Sequence, residues 1–212
     1  SMERVRSRAM AMHRTKDLNE VIAVIFEELK HLGWETTLCA IGIYNSETKG
    51  ADWWSFIEGH DIPGAHHFPY LEGRWYKEIY QAWGDQKPFH YIELRGEEYR
   101  KYAQSTFKKT DWKNLPQKVK NKLLELDSGQ IKNSYVSMSK GMLEIATDGP
   151  LKTEQIEVLH RFTKVIDLTY TRVDDLEQAE AREKEVIQQA SLDRIRAEIS
   201  SMRDTDDLMR IT

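Results

Sequence analysis

The stretch EGHDIPGAHH holds Glu58, His60, Asp61, His66 and His67 within ten residues. Carboxylates and imidazoles are the ligands of zinc and iron sites, and imidazoles also change charge near neutral pH. Metal binding and pH sensing are therefore the first chemistries to weigh. The spacing fits no specific metal motif and the loop has no cysteine, so ordinary hydrogen-bonded loop structure is expected and no metal site is assigned. The adjacent carboxylates Glu97-Glu98 and Asp174-Asp175 read as solvated faces, not as an acid–base pair. Cys39, the single thiol, sits in LCAIGIY and reads as a small buried hydrophobe, not a nucleophile. The sequence contains no glycine-rich phosphate loop, no kinase or cyclase motif and no GxSxG. It reads as a non-enzymatic chain.

Aromatic residues are the second concentration of chemistry. Trp53, Trp54, Phe56, Phe68, Tyr70, Trp75, Tyr76, Tyr80, Trp83, Phe89 and Tyr91 crowd about forty positions. Rings with a few polar tips line many small-molecule cavities, and the commoner use of such rings is simple core packing. Further on, Tyr135, Ser137 and Ser139 alternate with Val136 and Met138. A strand here turns Val136 and Met138 toward a helical layer and the Tyr-Ser-Ser face toward any pocket.

The elements that must carry these residues follow from periodicity. Val5, Ala9 and Met12 repeat at helical spacing; Thr15 reads as the N-cap of a second helix, Leu18 to Leu29, which Gly33 closes. ETTLCAIGIY and ADWWSFIEG read as a strand hairpin around a polar turn, and residues 59–73 as loop. A short helix over Arg74 to Trp83, a strand in KPFHYIEL, and charged helices from Glu97 to Leu126 interrupted near Pro116 come next. A final hairpin spans IKNSYVSMS and MLEIATDGP. This order defines an α+β domain with a mostly antiparallel sheet, its core spanning about residues 16 to 170.

Length and charge bound the partners. The net charge of −4 over 212 residues offers no broad basic field for nucleic acid or anionic lipid. No apolar run approaches the roughly 20 residues a bilayer span needs, and the first residues lack a secretory apolar stretch. With one cysteine, a reducing cytoplasmic setting is expected.

From Thr153 the sequence has no Gly or Pro, so one helix is expected to Met202, roughly 75 Å at 1.5 Å per residue. Leu159, Phe162, Ile166, Thr169, Val173 and Leu176 alternate spacings of three and four, a coiled-coil seam. EQAEAREKE weakens it, and Val186, Ile187, Ala190, Ile195, Ile199 and Met202 resume it. The last residues also repeat the first. Arg4, Arg6, Met12, Thr15, Asp17 and Leu18 fall on Arg194, Arg196, Met202, Thr205, Asp207 and Leu208 at one constant shift.

The hairpin YVSMSKGMLEIATDGPL followed by LHRFTKVIDLTYTRVDDLEQAEAREKE resembles a GAF domain, of the type placed in tandem in bacterial sensor histidine kinases. The resemblance implies a central antiparallel sheet with helices on both faces, and a long C-terminal coiled-coil linker helix. It divides the chain into a sensory domain (3–172), a linker (173–192) and the start of a second, truncated repeat (193–212). It also implies a small-molecule ligand, a homodimer through the terminal helices, and a downstream repeat with an output domain such as a histidine kinase or cyclase. A ligand-free dimerisation scaffold is the alternative, with a metal-dependent activity at the histidine loop as a further reading behind it. Combined with strand faces, the resemblance points to Trp53, His60, Trp75, Tyr91, Tyr135 and Ser137 as ligand contacts. The NKFDE signature of cyclic-nucleotide-binding relatives is missing, and no bilin-anchoring loop cysteine exists. The cofactor and the ligand's identity stay undefined.

Overall fold

The computed structural model describes residues 2–60 and 62–209; Ser1, Asp61, residues 210–212 and the side chains at 126, 127 and 201–209 lie outside that description. The chain opens with α1 (Met2–Met10), which buries Val5 and Ala9. Helix α2 (Leu18–His31) follows a 3-10 turn at Thr15–Asp17. Thr15 is not the cap that the sequence suggested. Asp17 holds the N-cap position of α2 without a side-chain cap bond; its Oδ2 turns back to accept the His13 and Arg14 backbone N–H groups at 2.9 and 3.0 Å. These bonds hold its carboxyl below the ordinary range, the His13 N–H contributing most. At the far end Gly33 takes φ +79°, a conformation that favours glycine. There Gly33 N–H reaches the Lys30 carbonyl and Trp34 N–H the Leu29 carbonyl, a Schellman closure.

The sheet has six strands: β1 (Leu38–Tyr44), β2 (Ala51–Ile57), β3 (His66–Phe68), β4 (His90–Arg95), β5 (Gln130–Ser137) and β6 (Gly141–Ala146). Their order is β3-β2-β1-β6-β5-β4, with every pairing antiparallel. Helices α3 (Arg74–Gly84), α4 (Gly96–Lys109) and α5 (Gln117–Asp127) lie between β3 and β5 in sequence, with a 3-10 turn at Asp111–Asn114. The edge strand β3 falls inside the stretch expected to be loop. Only three residues long and bounded by Gly64 and Pro69, it has no alternation to read. His67 secures it, its ring bonding Asp52 at 2.7 Å and its backbone N–H donating to Asp111 at 2.8 Å.

The register fixes two faces. Ala40, Gly42, Trp53, Ser55, Met142, Glu144, Asn133 and Tyr135 share one of them. Cys39, Ile41, Trp54, Phe56, Leu143, Ile145 and Val136 share the other, where the Phe26 ring of α2 meets Phe56 at 4.8 Å between centroids. Cys39 is fully buried there, and burial pushes its thiol well up. The expected α+β architecture, an antiparallel sheet with helices on both faces, is present.

Helix α6 (Thr153–Met209) is continuous over 57 residues, and the chain divides into two units within it, one ending at Tyr170 and one beginning at Thr171. The proposed seam needs correction in its first half. Leu159, Phe162, Ile166 and Thr169 are already buried within the first unit. A three-four stripe marks any buried helix face, and here it serves the protein's own core. In the second unit Leu176, Val186, Ile187, Leu192, Ile195 and Ile199 are each at least half exposed. The helix passes through Thr205 without the break seen between Met10 and Leu18. The repeat's counterpart of that break has its side chains outside the described residues. Among the described residues, no helix is long and apolar enough to cross a membrane.

Candidate functional site

Beside the face that carries Trp53 and Tyr135 is a cavity of about 50 Å³. Its floor comes from Trp53 and Ser55 of β2, Asn133 of β5 and Glu144 of β6; Phe68, Trp75, Tyr102, Phe107 and Trp112 close it with rings. Short-range order holds these rings in place. The Thr110 hydroxyl donates to the Thr106 carbonyl at 2.7 Å and accepts the Trp112 N–H at 3.2 Å, which seats the 3-10 turn against α4. Trp112 then stands edge-on to Phe68 at 5.2 Å and stacks near Phe107 at 5.9 Å. Gly42 makes room for Trp53, because a Cβ there would lie 2.6 Å from the indole.

Glu144 is the chemical centre. It is 7 % exposed, in the middle of a sheet. Its Oε1 accepts the Tyr135 hydroxyl and the Asn133 amide N–H, both at 2.5 Å. Tyr135 in turn accepts the Trp75 indole N–H at 2.9 Å, so a continuous buried chain ties α3 to β5 and β6. No described residue bonds Oε2. Burial outweighs the two bonds and pushes the carboxyl up to about 7. Trp112 Nε1, on the same lining, is buried without a partner among the described residues.

The six residues expected to contact a ligand are not all brought together. Trp53 and Trp75 line the cavity, and Tyr135 anchors both Trp75 and Glu144. Ser137 shares Tyr135's face, but its hydroxyl donates to the Lys87 carbonyl at 2.6 Å and it does not line the cavity. His60 sits in the turn after β2, bridged to Ile57, also away from the lining. Tyr91 is corrected outright. It pairs with Ser134, on the opposite face from Tyr135, because Ile92 and Leu94 take the inward positions of β4. Ser139 likewise leaves the pocket face and bonds Asp167 of α6 through its N–H and hydroxyl. Among the described residues, no three His, Cys, Asp or Glu side chains group to hold a metal.

Glu144, Asn133 and the Phe107–Trp112 wall were missed. Glu144 was legible, because Met138 and Gly141 bond each other across a two-residue Ser139-Lys140 turn. Counting outward from that turn puts Glu144 opposite Tyr135. The cavity adjoins a larger open cleft of about 370 Å³, with which it shares Thr37, Ile131, Asn133 and Ala146. Lys30, Glu35, Lys132 and Asp148 line that cleft. No protein-family model and no curated protein matches the sequence.

Proposed function

We propose that this chain is a non-catalytic sensory module of the GAF type, binding a small molecule over the sheet and relaying its state through a dimeric helix. One observation carries the binding part: a buried carboxyl with one oxygen unbonded by the described protein, at the wall of an aromatic cavity. Holding a carboxyl at 7 % exposure inside the sheet is costly, and a core built only for packing would place an apolar side chain there. The order of elements, the antiparallel sheet and the long final helix are the further support for the family reading.

Native mass spectrometry of the chain as purified tests the binding part. Wild-type protein is expected to retain a small molecule. Ser55→Leu, which fills the cavity from β2, is expected to lose it while remaining folded, at a stability cost of about 1–3 kcal/mol. An empty wild-type protein would favour the ligand-free scaffold. The cavity volume of about 50 Å³ favours that second reading, since drug-sized ligands occupy roughly 300–1,000 Å³.

Dimerisation has its own support in the apolar positions left exposed beyond Tyr170. Sedimentation of the chain is expected to give a dimer, and Ile187→Glu with Ile195→Glu a monomer with unchanged stability of the first unit. A monomeric wild-type chain at high micromolar concentration would remove the relay.

A further inference from the structure

Granting the ligand cavity proposed above, we infer that its occupant is a small organic cation, an alkylammonium or guanidinium group, seated between Glu144 and the ring walls. Among the described residues, the lining contains one carboxyl and no lysine, arginine or histidine. An anionic group there meets a like charge with nothing to offset it, which disfavours phosphates and carboxylates. A cation gains twice: the Glu144 oxygen left free by Tyr135 and Asn133 accepts its N–H groups, and the walls are electron-rich π-systems. Trp53, Phe68, Trp75, Tyr102, Phe107 and Trp112 supply those walls.

Size limits the cation. A cavity of about 50 Å³ holds the equivalent of about three to five waters, hence a group of similarly few heavy atoms. Ethylammonium, guanidinium and tetramethylammonium fall in that range. A larger cation can seat its charged head here only by trailing its remainder through the shared rim at Thr37 and Ala146 into the neighbouring cleft.

The protonation chemistry agrees. With its carboxyl pushed up to about 7, Glu144 is ionised in only part of the population near neutrality, and a cation selects the ionised form. Among the described residues, the titratable groups within electrostatic reach are Tyr135, Tyr44, Cys39 on the other face of the sheet, and Tyr102 beside Tyr135. Burial pushes the first three up, so they stay neutral where Glu144 titrates. Binding should therefore release a proton at and below neutral pH.

Isothermal titration calorimetry of the intact chain tests this with the three cations as chlorides, at matched ionic strength, beside acetamide and acetate. At least one cation is expected to bind saturably at pH 8 and about tenfold more weakly at pH 6. Glu144→Gln, checked for folding by circular dichroism, is expected to weaken that binding at least tenfold. Acetamide or acetate binding as tightly, or cation binding that ignores both pH and Glu144→Gln, overturns the cation assignment. Native mass spectrometry separates the two levels. A retained neutral or anionic molecule sinks the cation and keeps the ligand cavity. An empty protein that binds none of the probes sinks both.

Discussion

Replacing Glu144 with glutamine is expected to raise the melting temperature at pH 8 and to leave it nearly unchanged at pH 5. The carboxyl moves from about 4.5 in the unfolded chain to about 7 in the folded one. A raised carboxyl contributes stability that is fully present below the unfolded value and is lost as pH rises through the folded value. The window is therefore pH 4.5 to 7. Across it the native state holds a proton that the unfolded state does not, and stability falls by about 3 kcal/mol in total. Glutamine keeps an oxygen for Tyr135 and Asn133, carries no charge, and removes the loss. For a protein of this size, about 3 kcal/mol corresponds to about 6–12 °C. Thermal melts of both proteins at pH 5, 6, 7 and 8 should diverge progressively with pH. Parallel melting curves at every pH would mean that Glu144 reaches water and is not held as described. A glutamine variant that is less stable at pH 8 would mean that its charge is met by a partner.

The cost of holding this carboxyl also explains why the site was harder to read from the sequence than the fold. Elements announced by local chemistry were legible: the Gly33 closure of α2, the two hairpins, the interruption of α4 and α5 near Pro116. Each depends on contacts within a few residues. The cavity depends on contacts between distant ones. Glu144 is joined to Trp75 through Tyr135, and the Trp112 ring meets Phe68 of another element. Tyr91 shows the sharper limit. A strand was recognised correctly, yet its register against β5 decides which face each ring takes, and a shift of one residue reverses the answer. Seam positions Leu159 to Thr169 were misread for a related reason. A helix buried in its own domain and a helix awaiting a partner carry the same stripe, and only the surrounding elements distinguish them. In the histidine stretch, where hydrogen-bonded loop structure was expected, only His60 was a ligand candidate. Its residues diverge: His67 to Asp52 across the sheet edge, His60 to the β2 turn.

Gly42 and Gly141 lie one register step apart on neighbouring strands, yet alanine at the two positions should do different damage. Neither glycine is needed for an unusual backbone angle; each is needed for space. At Gly141 an added Cβ falls 2.0 Å from the carbonyl oxygen of Gly42. That oxygen belongs to β1, which β6 pairs along its length, so it can move only by parting the two central strands. Gly141→Ala is expected to cost more than about 3 kcal/mol, the upper end of overpacking losses. At Gly42 the obstacle is a side chain, the Trp53 indole at 2.6 Å. The ring can lift, but only away from β1, toward the cavity it lines beside Trp75 and Phe68. Gly42→Ala is therefore expected to fold with a loss of about 1–3 kcal/mol, to change tryptophan emission, and to weaken cavity binding at least tenfold. Trp53→Leu separates the cases. In that background Gly42→Ala should cost less than 0.5 kcal/mol, about the limit of additivity, because the clashing ring is gone. Gly141→Ala should cost as much as before, since its obstacle is backbone. Equal rescue of both variants would mean that the strands give way and that Trp53 is not the wall Gly42 exists to admit. No rescue of Gly42→Ala would mean that the ring never rested on β1.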